Sequence, residues 1–331
     1  MNLVEALIQP AIATLRRHAR EEPLSLFIDP TLVDPIVLLC DSVDLDASAQ
    51  AWVKKNIIRL PFIHNDFDPE RQPYILHLPN ESSAERIVNE ALRFAIEESL
   101  SLRQESPGAR SVCGVIVGDD NPFQTARRLA QLARIKPQEQ QPWYLRYWDP
   151  RVIWHLPRIL PASLWEEISN NIGSWLTIGP QRQLQLFTPD SKKEIEPLRT
   201  PLQIQNQIWD RLSLIGPTNQ VLTIGEDFGI DPTPTQAQRI EKLLTRAAQT
   251  WGLAADGDGI VFAVAGLTSH DRFDEHPLVA AALQAAAREN KSIGTVLADF
   301  DDTFWAEVSN GRWAQPAQHN NEMRTRKKVA P

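Results

Sequence analysis

Two carboxylates spaced two residues apart at the end of an apolar run can carry out phosphoryl chemistry. The chain has one such set in Thr295-Val296-Leu297-Ala298-Asp299-Phe300-Asp301-Asp302-Thr303. At a strand end, the first aspartate attacks phosphorus while the second moves the proton beside a magnesium ion. Position argues against this chemistry here. Such a motif sits on the first strand of a doubly wound sheet, and the residues after Thr303 (304–331) are too few to build the other strands. The competing expectation is a helix end followed by an acidic turn that caps the helix carrying Trp305. Asp256-Gly257-Asp258-Gly259 resembles part of a calcium loop, but the twelfth position, where such a loop needs glutamate, is Leu267. The seven histidines (18, 64, 77, 155, 270, 276 and 319) lack ligand spacing. Cys40 and Cys113 lie in apolar, strand-like runs, Ile36 to Cys40 and Val112 to Val117, and read as small buried hydrophobes. There is no G-x-S-x-G, P-loop, H-E-x-x-H or paired C-x-x-C. The expectation is a non-enzymatic protein without metal or cofactor.

Composition narrows the partners. Hydrophobic residues make up 42% and charged residues 23%, values of an ordinary globular protein. A formal net charge of -8 argues against a general nucleic-acid binder, which needs a basic face for phosphates. No apolar run is long enough for a membrane span. The first twenty residues carry Leu3, Val4, Leu7, Ile8, Ile12 and Leu15 at helical spacing, without a basic leader or cleavage site. A cytoplasmic protein is expected. Ten tryptophans hint at partner binding, because indoles are favoured at interfaces.

The densest signal is Trp143-Tyr144-Leu145-Arg146-Tyr147-Trp148-Asp149-Pro150-Arg151-Val152. Its first half has the aromatic content of a half-buried strand. Asp149-Pro150 ends that strand, since proline lacks a ladder N–H and biases its predecessor toward extended backbone. Val152, Ile153 and Leu156 then begin a helical spacing. Asp149 and Arg151 therefore fall at a strand-to-helix junction, where an ion pair is expected to hold the fold.

The elements around this segment alternate. Strands are predicted at 24–28, 57–60, 74–78 and 112–117. One helix is predicted through Ala84, Ile87, Val88, Ala91, Leu92 and Ala95, and another from Asn121-Pro122 through Phe123, Ala126, Leu129, Ala130 and Ala133. Trp165 and Ile168 lie on a short helix. Residues 174–178 and 184–187 read as a hairpin. The fold class expected is α/β: a mixed-sheet domain over 21–190 behind a helical extension at 1–20. The polar, proline-bearing stretch 188–200 is the expected boundary. A helical bundle follows over 201–314, with helices through Leu202 to Leu212, Thr235 to Trp251, Pro277 to Glu289 and around Trp305. The end, 315–331, is expected to be a disordered basic tail with Arg324, Arg326, Lys327 and Lys328.

Arg146-Tyr147-Trp148-Asp149-Pro150-Arg151-Val152, followed after a short helix by Gly173-Ser174-Trp175-Leu176, resembles the hallmark of the type VI secretion effector chaperones. These form a domain-of-unknown-function family encoded beside VgrG spike genes. Arg272-Phe273-Asp274-Glu275-His276-Pro277-Leu278-Val279 resembles the family's helical half. The first strand departs from the pattern: Asp29-Pro30-Thr31 stands where members often carry an Asp-Gly-Ala-like turn. The resemblance implies a cytoplasmic adaptor that binds a secreted effector and helps load it onto the VgrG spike, with neither nucleic acid nor membrane as partner. It singles out Tyr147, Trp148, Asp149, Arg151 and Trp175, and in the helical half Phe273, His276 and Pro277. The competing activity from another class is a magnesium-dependent phosphatase of the haloacid-dehalogenase kind, using Asp299 and Asp301.

Overall fold

The computed structural model describes residues 3–19, 22–31, 34–42, 47–62, 68, 71–78, 82–101, 110–118, 121–138, 140–188 and 201–314. It divides into two compact units, Met1–Ser213 and Leu214–Pro331.

The first unit opens with α1 (Leu3–Ala19), β1 (Leu24–Ile28), α2 (Ile36–Ser42), α3 (Ala47–Lys55), β2 (Ile57–Arg59), β3 (Tyr74–Leu78), α4 (Ser82–Ser99) and β4 (Val112–Val117). It continues through α5 (Pro122–Leu132), β5 (Arg134–Pro137), β6 (Trp143–Tyr144), α6 (Pro150–Ile153), α7 (Leu156–Ile159) and α8 (Ala162–Ile172). It closes with β7 (Ser174–Ile178), β8 (Leu184–Phe187), β9 (Leu202–Ile204) and α9 (Asn206–Ser213). Six strands form an antiparallel sheet in the order β2-β3-β1-β4-β7-β8. A smaller sheet, β6-β5-β9, contains the parallel pair, with Ile135 opposite Leu202.

Both faces of the large sheet are buried, which explains its almost uniformly apolar central strands. On one face Leu26, Ile28, Leu76, Val115 and Leu176 meet α1, α2 and α4 in a single core. The expected stripe on α4, from Ala84 to Ala95, supplies much of that core. The alternate side chains Phe27, Ile75, Cys113, Ile116 and Trp175 are buried as well, and Phe27 and Trp175 meet the rings of Tyr147 and Trp148.

Several expectations are corrected. The run through Cys40 is helix α2, not a strand, because Asp34 Oδ1 accepts from Ile36 N at 3.1 Å and Leu39 N donates to Pro35 O, starting a helical turn. Cys40 is nonetheless buried. The aromatic segment is strand only at Trp143–Tyr144. After Leu145 N bonds Ala133 O, a turn closes from Asp149 N to Arg146 O at 3.0 Å. The helix expected from Leu202 to Leu212 is a strand followed by a helix. Leu202 and Ile204 are buried around exposed Gln203 and pair with β5, which keeps β9 and α9 in the first unit. The division between units thus falls after Ser213, beyond the stretch 188–200.

The second unit is helical: α10 (Ile215–Asp227), α11 (Pro234–Trp251), α12 (Asp258–Thr268), α13 (Pro277–Glu289), α14 (Ile293–Leu297) and α15 (Asp302–Ser309), with 3-10 turns at Phe273–Glu275 and Arg312–Ala314. The apolar α12 packs against α10, α11 and α14. Its Gly266 lets α11 approach, since a Cβ there would lie 2.6 Å from Leu243 Cδ2. Thr233 and Pro234 start α11, and Gly252, at φ +68°, ends it. The expected basic tail lies outside the described residues.

Candidate functional site

The aromatic segment crosses from the small sheet to the buried face of the large one. Tyr147 and Trp148 are each 1% exposed. Tyr147 donates its hydroxyl to Leu129 O at 2.8 Å, tying the segment to α5. Trp148 donates Nε1 to Asp29 Oδ2 at 2.6 Å. Its ring lies 5.6 Å from Phe62 and 5.5 Å from Tyr147, with Trp175 beyond Tyr147 at 6.0 Å. These buried aromatics form one cluster against β1, β4 and β7. Gly114 on β4 makes room for it: a Cβ there would sit 2.2 Å from Trp175 Nε1.

Asp149 is the N-cap of α6. Its Oδ1 accepts from Arg151 N at 2.9 Å and Arg151 Nε at 3.0 Å, and its Oδ2 from Arg151 Nη2 at 2.7 Å. One aspartate thus starts the helix and clamps a guanidinium in a fork. Burial pushes the Asp149 carboxyl pKa up, but the bonds and charge of Arg151 outweigh it and hold the group below the usual carboxylate range. Burial lowers the Arg151 pKa, and its bonds to Asp149 raise it by more. The Asp149–Arg151 pair therefore secures the turn into α6. Behind it, the buried Glu98 accepts from Ser111 N at 2.8 Å and Ser111 Oγ at 2.5 Å, and burial raises its pKa. Arg110 donates to Glu98 O at 2.8 Å, and its pKa falls through burial and then the charge of Arg151.

Asp29 is the residue that sequence reasoning missed. It ends β1, is 3% exposed and collects donors from three places. Oδ2 takes Trp148 Nε1 at 2.6 Å and Arg146 Nη2 at 2.7 Å, and Oδ1 takes Thr31 N at 3.0 Å and the Thr31 hydroxyl. Its signal lay in Asp29-Pro30-Thr31, where an aspartate two residues before a threonine closes an Asx turn at the end of an apolar strand.

In the second unit Phe273 is fully buried, 4.8 Å from Phe262 and 6.2 Å from Trp305. His276 is 8% exposed, with its ring edge-on to Phe304 at 5.0 Å and Trp313 at 5.4 Å. Pro277 opens α13. Between them Asp274 accepts from Arg246 Nε at 2.8 Å and Trp251 Nε1 at 2.9 Å. Arg272 and Arg246 bond Glu275 and hold its carboxyl down at about 2. Phe273, His276 and Pro277 thus belong to a helix junction within this unit.

The apolar run before Asp299 and Asp301 is helix α14, not the strand end a nucleophilic aspartate needs. Asp301 instead caps α15, accepting from Phe304 N at 2.8 Å. Asp258 opens α12 just after the polar turn and accepts from Ser292 Oγ at 2.7 Å and Ile293 N at 3.2 Å, fastening α12 to α14. Among the described residues no three His, Cys, Asp or Glu side chains converge as a metal set. No helix among them is long and apolar enough to cross a membrane.

No curated protein and no solved structure matches the chain. One family model does, over a span that runs from just before β3 into α8 and encloses Tyr147, Trp148, Asp149 and Arg151. Residues 70–167 match DUF4123, a domain of unknown function whose family name carries no activity.

Proposed function

We propose that the protein is a non-enzymatic cytoplasmic adaptor that binds a type VI secretion effector and assists its loading onto the VgrG spike. The observation that carries this reading is that the family match and the resemblance fall on the same residues. The DUF4123 match encloses the Tyr147-Trp148-Asp149-Pro150-Arg151 motif on which the resemblance to effector chaperones rests. The motif's placement supports it. Tyr147, Trp148 and Asp149 are buried and spend their polar atoms on Leu129, Asp29 and Arg151, the behaviour of residues that build a frame for partner contact. The helix before Asp299 favours this reading over phosphoryl transfer.

The test is co-expression of the tagged chain with the effector and the spike protein encoded beside its gene. A stoichiometric complex with the effector, and loss of soluble effector when the chain is omitted, are the expected results. If the chain elutes alone from both candidate partners, the adaptor reading fails.

A further inference from the structure

The aromatic segment is buried on one side only. Trp143 is 52% exposed, and its ring rests on Trp209 of α9 at 5.5 Å. Arg146, three residues on, is 49% exposed although Asp29, its acceptor, is buried. Asp29 engages Nη2 of that guanidinium, which leaves further donors of the fork at the surface. Three residues separate the two side chains, so their Cα atoms lie within about 11 Å of each other.

An arginine fixed at its inner edge and open at its outer edge has lost much of its rotamer freedom before any partner arrives. A contact made to it therefore forfeits less entropy. Arginine and tryptophan are also the residue types that carry most binding energy at interfaces, and the guanidinium fork matches a carboxylate in plane and spacing. Arg151, 37% exposed, is likewise paired with a buried carboxylate, Asp149, just after the same turn, so in both pairs the guanidinium is the member that reaches solvent.

We propose that Trp143 and Arg146 form the docking point for an acidic segment of a protein partner, with a carboxylate on the outer edge of Arg146 and an adjacent apolar side chain on Trp143. This rests on the adaptor reading and gives the partner a chemistry: aspartate or glutamate next to an aliphatic or aromatic residue. On a chain of formal net charge -8 the overall field repels such a segment, so its binding reports a local site.

The probe is a fluorescein-labelled peptide of four Asp-Leu-Gly repeats, compared by anisotropy with its Asn-Leu-Gly counterpart on the full chain. The aspartate peptide binds saturably and the asparagine peptide at least about tenfold more weakly. Arg146→Gln weakens the aspartate peptide about tenfold, Arg146→Lys restores part of the loss, and Trp143→Ala weakens both peptides. Phe228→Ala, an exposed aromatic in the second unit, changes nothing. Asp29 keeps Trp148 and Thr31 as donors in Arg146→Gln, so the thermal midpoint of that variant stays within a few degrees and the loss reads as binding. Equal binding of the two peptides, no saturable binding, or an unchanged Arg146→Gln overturns the proposal. Displacement by millimolar inorganic phosphate also overturns it, in favour of a phosphate site. If the peptide binds as described while the co-expressed effector and spike do not, the site stands and the adaptor reading falls. If the effector binds but ignores Arg146→Gln, the reverse holds.

Discussion

Replacing Asp29 by asparagine keeps the size of the side chain and removes one acceptor oxygen and the charge. The best orientation of the new amide keeps its oxygen on Trp148 and Arg146 and turns its NH2 toward Thr31. The backbone N–H of Thr31, now 3.0 Å from Asp29 Oδ1, then faces a donor. Thr31 is itself exposed, so water can take that N–H at little cost, but the bonds to Trp148 and Arg146 lose their charge assistance around a residue 3% exposed, about 1 kcal/mol each. Asp29→Asn is therefore expected to destabilise the first unit by about 2 kcal/mol. Arg146→Gln removes the other partner, but the Arg146 side chain is 49% exposed and three donors still reach Asp29, so about 1 kcal/mol is expected. Urea unfolding followed by tryptophan emission measures both, since Trp148 is itself bonded to Asp29. If Asp29→Asn costs under about 1 kcal/mol, or Arg146→Gln costs as much as Asp29→Asn, then Trp148 and Thr31 are not what hold this carboxylate, and the reasoning is refuted.

Gly114→Ala places a methyl 2.2 Å from Trp175 Nε1 and 2.3 Å from Leu176 O at φ +149°, and should cost about 3 kcal/mol or more in the same assay. Glu275 is held down at about 2 by Arg272 and Arg246. A carboxylate with a depressed folded-state pKa stabilises above its unfolded value and loses that contribution as pH falls through its folded one. The midpoint for the second unit should therefore drop between about pH 4.5 and pH 2, and Glu275→Gln should flatten that drop; an unchanged slope sinks the assignment. Cys113 is fully buried, and burial raises its thiol pKa, so iodoacetamide at pH 8 should leave it unmodified in the native chain and label it after denaturation.

Much of the first unit was legible because its signals are local. The α4 stripe from Ala84 to Ala95, the Asn121-Pro122 start of α5, the β7–β8 hairpin and the apolar runs of β1, β3 and β4 all follow from periodicity and capping. What escaped depended on distant partners. Leu202-Gln203-Ile204 is too short for its period to separate strand from helix, and Ile135, far back in the chain, decides it by pairing with Leu202. The run through Cys40 reads as a strand until Asp34 is seen capping it. The helices α10 and α12 were missed because they carry little amphipathic contrast: Thr218 and Gly225 sit in the buried stripe of α10, and α12 is apolar beyond its own. At the site, the aromatic motif and the Asp149–Arg151 junction could be seen in the sequence. Asp29 could not be joined to Trp148 because 119 positions separate them.

β1 sits in the middle of the large sheet, between β3 and β4, yet it lies outside the span 70–167 that the family model recognises. During synthesis this strand emerges first and both of its neighbours later. At about 5–20 residues per second, the chain from Ile28 to Val117 takes roughly 4–18 s to make. For about the first half of that interval, until β3 is made, Leu24-Ser25-Leu26-Phe27-Ile28, a segment without charge, has neither of its sheet partners, and for the rest it lacks β4. The amphipathic α1, made just before it, is the element on hand to shelter it at the ribosome. A fragment cut to the recognised boundaries would avoid that wait, but it would bring β3 and β4 together with nothing to pair between them.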